Sequence, residues 1–429
     1  MESFVIEGGQ RLSGTITPTG NKNAALPLLA VALLTDEPII YRNMPNIGDV
    51  RVKLKLLADL GVEVEWLEHN TLKLHARDVR GSEPDPELCA RIRTSILLAA
   101  PLLVRTGRAV LARPGGDSIG HRRLDTHFLA LRTLGAAVTV TNSAYDLSTA
   151  GLRGAELFLD EMSVTGTEQA VIAAVLAEGE TIISNAASEP HVQDVCRCLA
   201  QMGAQIDGIG TNTLRIRGVA KLGSAEFTLG PDYMEVGSYI GLAAVTGSAL
   251  RIANARPQEH RMTRIMFGRL GVRWEDDGPD IVVPGDQELR VQDDLHGVVP
   301  KIDDSPWPGF PPDLMSIALV LATQSHGTVL IHQKMFDGRL FFVDKLLGMG
   351  ARIILCDPHR AVVVGPAKLF GEKLTSPDIR AGMALVIAAL CATGTSVISN
   401  IAQIDRGYER IDERLAALGA RITRRSDAK

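Results

Sequence analysis

Leu57-Ala58-Asp59-Leu60-Gly61-Val62-Glu63-Val64 ends a leucine-rich helical pattern on a glycine and continues in strand-forming residues. A glycine just past a helix end takes the left-handed conformation that stops the helix and turns the chain into a strand. The phrase returns as Leu131-x-x-Leu134-Gly135-Ala136-x-Val138, as Leu199-x-x-Met202-Gly203-Ala204-x-Ile206 and as Phe267-x-x-Leu270-Gly271-Val272. It returns twice more, as Leu346-x-x-Met349-Gly350-Ala351-x-Ile353 and Leu415-x-x-Leu418-Gly419-Ala420-x-Ile422. The six glycines lie 68 to 79 residues apart, so six units fill the 429-residue chain.

A second phrase runs alongside: a small-residue helix, a glycine or polar turn, then a β-branched strand. Residues 174–185 and 392–400 show it clearly, and 34–43, 242–254 and 322–332 show weaker copies. The unit therefore reads helix–strand–helix–strand with a hairpin strand such as 71–76 or 213–217. This alternation predicts an α/β class. Units of this size do not stack as a solenoid does, and three per lobe is the natural grouping. The first lobe is expected over 22–230 and the second over 1–21 plus 231–429, with a switch near Gly230-Pro231-Asp232.

The composition, 45% hydrophobic and 22% charged, is that of an ordinary soluble globular protein. A net charge of −5 and an aromatic content of 4% argue against nucleic acid as partner and against a polybasic membrane surface. The N-terminus carries no basic and apolar signal pattern. The longest apolar run, 24–34, contains Pro27 and is too short to span a bilayer, so a cytoplasmic location is expected. The five cysteines are sparse, and Cys196-x-Cys198 lacks a second ligand pair, so reduced thiols and no metal site are expected.

The chemistry-bearing residues concentrate at predicted helix starts and in one loop. Arg113-Pro114-Gly115-Gly116-Asp117-Ser118-Ile119-Gly120-His121-Arg122-Arg123-Leu124-Asp125-Thr126-His127 reads as too broken for helix or strand. A mobile loop over 113–123, one acid followed by cations, suits closure over an anion. Neither a dinucleotide fingerprint nor a Walker A motif occurs. Gly20-Asn21-Lys22-Asn23 precedes an apolar helix, where free N–H groups favour an anion, although capping by Asn21 or Asn23 explains the asparagines equally well. Arg91-x-Arg93-Thr94-Ser95 and Ser163-Val164-Thr165-Gly166 open further helices, and Asp313 follows Phe310-Pro311-Pro312 at another. Asp337-Gly338-Arg339, Asp378-Ile379-Arg380 and Asp405-Arg406-Gly407-Tyr408 each set an acid beside a base. Singly, each reads as a surface pair of about 0–1 kcal/mol. Together they suit a multiply anionic substrate in an inter-lobe cleft.

Lys22-Asn23-Ala24-Ala25-Leu26-Pro27, Pro114-Gly115-Gly116-x-x-Ile119-Gly120 and Asp405-Arg406-Gly407-Tyr408-Glu409-Arg410 resemble the motifs of the UDP-N-acetylglucosamine enolpyruvyl transferases, and the resemblance covers nearly the whole chain. It implies an inside-out α/β barrel of two lobes, each of three βαβαββ units, with the strand near Phe4–Ile6 packed into the second lobe. It also implies transfer of enolpyruvate from phosphoenolpyruvate to the 3′-hydroxyl of UDP-N-acetylglucosamine, by addition and elimination, with release of phosphate and no metal or cofactor. By position, Asp313 corresponds to the base and Asp117 to the proton donor, with Lys22 and Arg406 also in the catalytic set. Lys22, Asn23, Arg122, Arg339, Arg380 and Arg406 fall at phosphoenolpyruvate, with Asp337 nearby. Asn23, Arg93, Arg123, Leu124, Asp125, His127, Ser163, Val164, Thr165, Asp313 and Met335 fall at the UDP-sugar.

The chain departs from the family pattern at four positions. Asp117 stands where a loop cysteine is usual, Gly48 where a lysine is common, Thr165 where glycine is frequent and Pro312 where threonine is frequent. A carboxylic acid can donate the proton expected of that thiol but forms no thioether-like adduct. Two alternatives remain: a sister enzyme acting on shikimate 3-phosphate, and a non-catalytic UDP-sugar-binding regulator.

Overall fold

A computed structural model describes residues 2–117, 119–120 and 122–426. Ser118 and His121 of the glycine-rich loop lie outside the described residues. All six repeat glycines are left-handed, with φ of 91, 96, 104, 89, 102 and 100° at positions 61, 135, 203, 271, 350 and 419. A side chain there would strain the backbone. Each glycine hands a helix to a strand, as Gly48–Asp59 passes to Glu63–Glu68 and Ile411–Ala417 to Arg421–Ser426.

The second phrase is present six times, not five. The sixth copy is the helix Ala99–Thr106, Gly107 at φ 75° and the strand Arg108–Ala112. Four of the others end on a left-handed asparagine, Asn43, Asn185, Asn254 or Asn400. The amides of Asn43, Asn185 and Asn400 donate to the carbonyls of Leu229, Leu159 and Ser376 at 3.1, 2.8 and 2.8 Å. Asparagine tolerates this conformation because its short amide makes such bonds. The copy at Arg108–Ala112 runs instead into Arg113-Pro114, which hides it from a reading of the sequence.

Each repeat builds one sheet. In the first repeat Ala225–Thr228 lies parallel to Ile39–Arg42, which pairs antiparallel with Thr71–His75, and that strand with Glu63–Glu68. Four more sheets have four strands, while the sheet of Arg108–Ala112, Ala144–Ser148 and Ala137–Val140 has three. Where a fourth strand would lie, Val110 donates to the Ser82 carbonyl at 2.8 Å. Pro84 and Pro86 follow at once and cannot extend a ladder. The chain's first strand, Glu2–Glu7, pairs antiparallel with both Thr395–Ser399 and Arg421–Ser426, setting Phe4 opposite Ile398 and Arg424.

The chain divides into two compact units. One comprises Gly20–Asp117 and Arg122–Gly230 and is called here the first lobe; the other comprises Met1–Thr19, Ser118–His121 and Pro231–Lys429 and is called the second. Each has its own continuous apolar core. In the first lobe, Lys22–Val31, Ala99–Thr106 and Val164–Ala174 are the inner helices. In the second, Tyr233–Thr246, Met315–Gln324 and Ile379–Cys391 pack on one another. These helices are apolar on nearly every side, as burial all round requires. No helix among the described residues is long and apolar enough to cross a membrane.

The segment read as irregular through His127 is so only to Leu124. Asp125–Thr133 is a helix, because Asp125 sets a favourable charge in its first turn and Thr126-His127-Phe128 turns a buried face inward.

Candidate active site

In the first lobe, Asn21 caps Lys22–Val31, its side chain accepting from Asn23 N–H at 2.8 Å. Lys22 pairs with Asp49 at 2.9 Å, both side chains buried. Asp49 lies in the first turn of Gly48–Asp59, where the helix dipole favours an anion. Nothing in the sequence marks Asp49 beyond that place, and the reading of the sequence missed it.

The foot of the glycine-rich loop is tied down. Arg93 donates to the carbonyls of Arg122 and Arg123 at 2.7 and 2.9 Å. Burial, with the Arg122 charge adding, pulls the Arg93 guanidinium down to about 10. Pro114-Gly115-Gly116 does not dangle. A Cβ on Gly115 would come within 1.7 Å of the Ala90 carbonyl, and Gly116, at φ 108°, lies against Arg93. Glycine is needed here for close approach as much as for flexibility. Asp117 is half-buried at the end of this segment.

Arg123 pairs with Asp160 at 3.0 Å and Asp125 at 3.3 Å, and Thr126 donates to Asp160 at 2.8 Å. Asp160 is a second acid the sequence did not single out. Ser163 caps Val164–Ala174 by accepting from Gly166 N–H at 3.2 Å, and Thr165 meets His127 Nε2 at 3.0 Å. His127 and Leu124 are buried, and burial together with the Arg93 charge pulls His127 down to about 3, so its imidazole is neutral.

In the second lobe the acid–base neighbours in sequence do not pair with each other. Asp313, in the turn before Met315–Gln324, accepts from Arg339 Nη2 and from Arg380 Nε, the latter at 2.9 Å. Asp337 instead meets His359 at 3.5 Å. Asp378 caps Ile379–Cys391 and stands 3.7 Å from Arg339. Asp405 binds Arg424 at 2.7 Å, while Arg406 donates to Gln403 at 2.7 Å. Asp378, Arg339 and Arg380 are buried, so the reading of these pairs as surface ion pairs is wrong for them. A side chain points one way, and its neighbour in a turn or helix start points another; partner choice follows that direction.

Arg380 also donates to the Tyr408 hydroxyl at 3.3 Å. Met335 is exposed, its N–H donating to buried Asp304 at 3.1 Å. Ile119 and Gly120 lie against this lobe's Asp337 and Gly338, with Gly338 N–H donating to the Ile119 carbonyl at 3.0 Å. The second lobe thus holds a carboxylate between two guanidiniums. The first holds an array of cations at helix starts. Both suit a reaction of anionic substrates that moves a proton.

A profile of the family described as EPSP synthase (3-phosphoshikimate 1-carboxyvinyltransferase) matches residues 6–415. The chain belongs to this family of enolpyruvyl transferases. It is 56% identical to the UDP-N-acetylglucosamine 1-carboxyvinyltransferase of Bradyrhizobium diazoefficiens over 99% of both chains. It is 57% identical to that of Treponema denticola, over 98% of this chain and 99% of the relative. The enolpyruvyl transferase NikO from Streptomyces tendae has the same fold, with a TM-score of 0.88 at 24% identity, covering 99% of this chain and 98% of NikO.

Proposed function

We propose that this enzyme transfers the enolpyruvyl group of phosphoenolpyruvate to the 3′-hydroxyl of UDP-N-acetylglucosamine and releases phosphate, the first committed step of peptidoglycan synthesis. The observation that carries the reading is full-length identity of 56 and 57% to two transferases named for that acceptor. A cytoplasmic location fits two such phosphorylated substrates.

In this reading Asp313 takes the proton of the sugar hydroxyl as its oxygen bonds to C2 of phosphoenolpyruvate, and Asp117 gives a proton to the methylene carbon C3. In the tetrahedral intermediate the bond from C2 to the phosphate oxygen then breaks. Phosphate leaves, and C3 loses a proton to restore the double bond. Lys22, Asn23, Arg122 and Arg406 engage the phosphoenolpyruvate anion. Arg339 and Arg380 serve it too, and already hold Asp313 in place. Arg93, Arg123 and the helix start at Ser163-Val164-Thr165 serve the UDP moiety, with Asp125 orienting Arg123. His127, which meets Thr165 at 3.0 Å, falls at the same moiety.

The test is phosphate release with each acceptor. Release with UDP-N-acetylglucosamine and not with shikimate 3-phosphate is expected. The reverse pattern transfers the enzyme to the sister reaction, and no release with either leaves the regulatory reading.

A further inference from the structure

The first lobe buries a lysine and a glutamate that the proposed chemistry does not use. Lys53, on Gly48–Asp59, is fully buried, and its ammonium donates to the Thr94 carbonyl at 2.7 Å. Glu168, on Val164–Ala174, is 1% exposed, and neither of its carboxylate oxygens has a hydrogen-bond partner among the described residues. The groups acting on Lys53 are the Cys89 thiol and Glu168, and Glu189 acts on Glu168 in turn. Burial pulls Lys53 down to about 7 although both neighbours oppose it, and burial pushes Glu168 up. An apolar residue of the same size would serve stability as well as or better than a buried lysine. Its placement shows what it holds.

Thr94 directly follows Arg93 in the tight helical turn Arg93–Leu98. Arg93 holds the Arg122 and Arg123 carbonyls at the foot of the loop. A continuous line of bonds therefore runs from the Lys53 ammonium through the Thr94 carbonyl and Arg93 to the loop's main chain. Ser95 stiffens the same turn by donating to the Cys89 and Ile92 carbonyls at 3.0 and 2.9 Å.

We propose that Lys53 is a positioning residue for Arg93, and through it for the foot of the loop. The effect on substrate rests on the reading of Arg93 as a contact of the UDP-sugar; the effect on the loop does not. Two readouts on the full chain separate these. One is the KM for UDP-N-acetylglucosamine. The other is the rate of tryptic cleavage after Arg122 and Arg123, whose carbonyls Arg93 holds, and it needs no substrate.

Lys53→Met leaves the Thr94 carbonyl without its donor and lowers the Tm. The double variant Lys53→Met/Glu168→Leu also replaces the unpartnered buried carboxyl with an apolar side chain and recovers part of that loss. If Lys53 positions Arg93, the double variant still shows about tenfold faster cleavage and about tenfold higher KM at little-changed kcat. Recovery of wild-type cleavage along with Tm overturns the proposal and makes the pair purely structural. Faster cleavage with unchanged KM keeps the tether and removes Arg93 from the substrate. Absence of turnover in the wild-type enzyme defeats the functional reading, and cleavage still decides on Lys53. Should the double variant not fold, Lys53→Met is compared with Glu168→Gln. Both lose a buried ionisable group and only the first loses the donor to Thr94, so equal cleavage in the two overturns the proposal.

Discussion

Arg380 and Arg93 are both arginines withdrawn from solvent near the start of an inner helix, and the two lobes treat them in opposite ways. Burial works against the Arg380 charge, but Tyr408, Asp313 and Asp232 outweigh it, and its guanidinium ends well above the usual value. Arg93 has no carboxylate partner among the described residues. It spends its bonds on two main-chain carbonyls, and burial and Arg122 pull it down to about 10. The difference teaches how one residue type does two jobs. A compensated arginine fixes a carboxylate in place, while an under-compensated one holds main-chain carbonyls and keeps a charge that no carboxylate among the described residues matches.

The largest expected effect lies on the compensated side. Asp313→Asn keeps the shape and removes the proposed base, and kcat is expected to fall about 10²- to 10⁴-fold. An unchanged kcat would leave Asp313 as a partner for arginines only.

Stability comes next. Arg380→Met breaks a buried ion pair and is expected to cost about 3–5 kcal/mol in urea unfolding. Arg93→Met removes a charge that burial already disfavours and is expected to cost about 1 kcal/mol, while raising the KM for the UDP-sugar. Equal losses in the two variants would erase the contrast between the lobes.

Acid sensitivity is spread over a wide pH window and is small at any one pH near neutrality. His127 titrates at about 3 in the folded chain and at about 6.5 when unfolded. Between those values the unfolded state binds the proton and the folded state does not. Stability from this residue therefore rises with pH through that window and is lost on acidification, by up to about 1.4 kcal/mol per pH unit. His127→Asn flattens the dependence of the urea midpoint on pH in that window. A slope identical to wild type would show that other groups set it.

The smallest effect is a change in the shape of a profile. A carboxylic acid gives up its proton more readily than a thiol, so turnover with Asp117 as donor is expected to decline toward alkaline pH more steeply than in Asp117→Cys. The epoxide fosfomycin is expected to leave this enzyme active and to inactivate the cysteine variant. Matching pH profiles would remove Asp117 as the acid, and time-dependent loss of activity with mass added at Asp117 would show that the carboxylate can be alkylated after all.

Much of the fold could be read along the chain. The left-handed glycines at 61, 135, 203, 271, 350 and 419 are local events, set by the penalty a Cβ would meet there. The copy at Arg108–Ala112 escaped because Arg113-Pro114 replaces the usual asparagine, and the helix start at Asp125 was lost in the glycine-rich stretch before it. The site was legible in its residue types and not in its pairings. Asp313, Arg339 and Arg380 were all on the page, but as acids and bases beside other neighbours. Asp49 carried no signal, because an acid in the first turn of a helix is commonplace, and the roles of Asp160 and Glu168 depend on partners and burial that only packing creates.

What the sequence determined by itself was the six-fold α/β repeat, because helix ends, turns and strand runs depend on residues a few positions apart. Only the tertiary structure decided which charge meets which. Asp313 takes partners 26 and 67 residues away, and the chain's first strand is completed by its last. The strength of an ion pair depends on distance and on burial, and both arise only once the helices have packed.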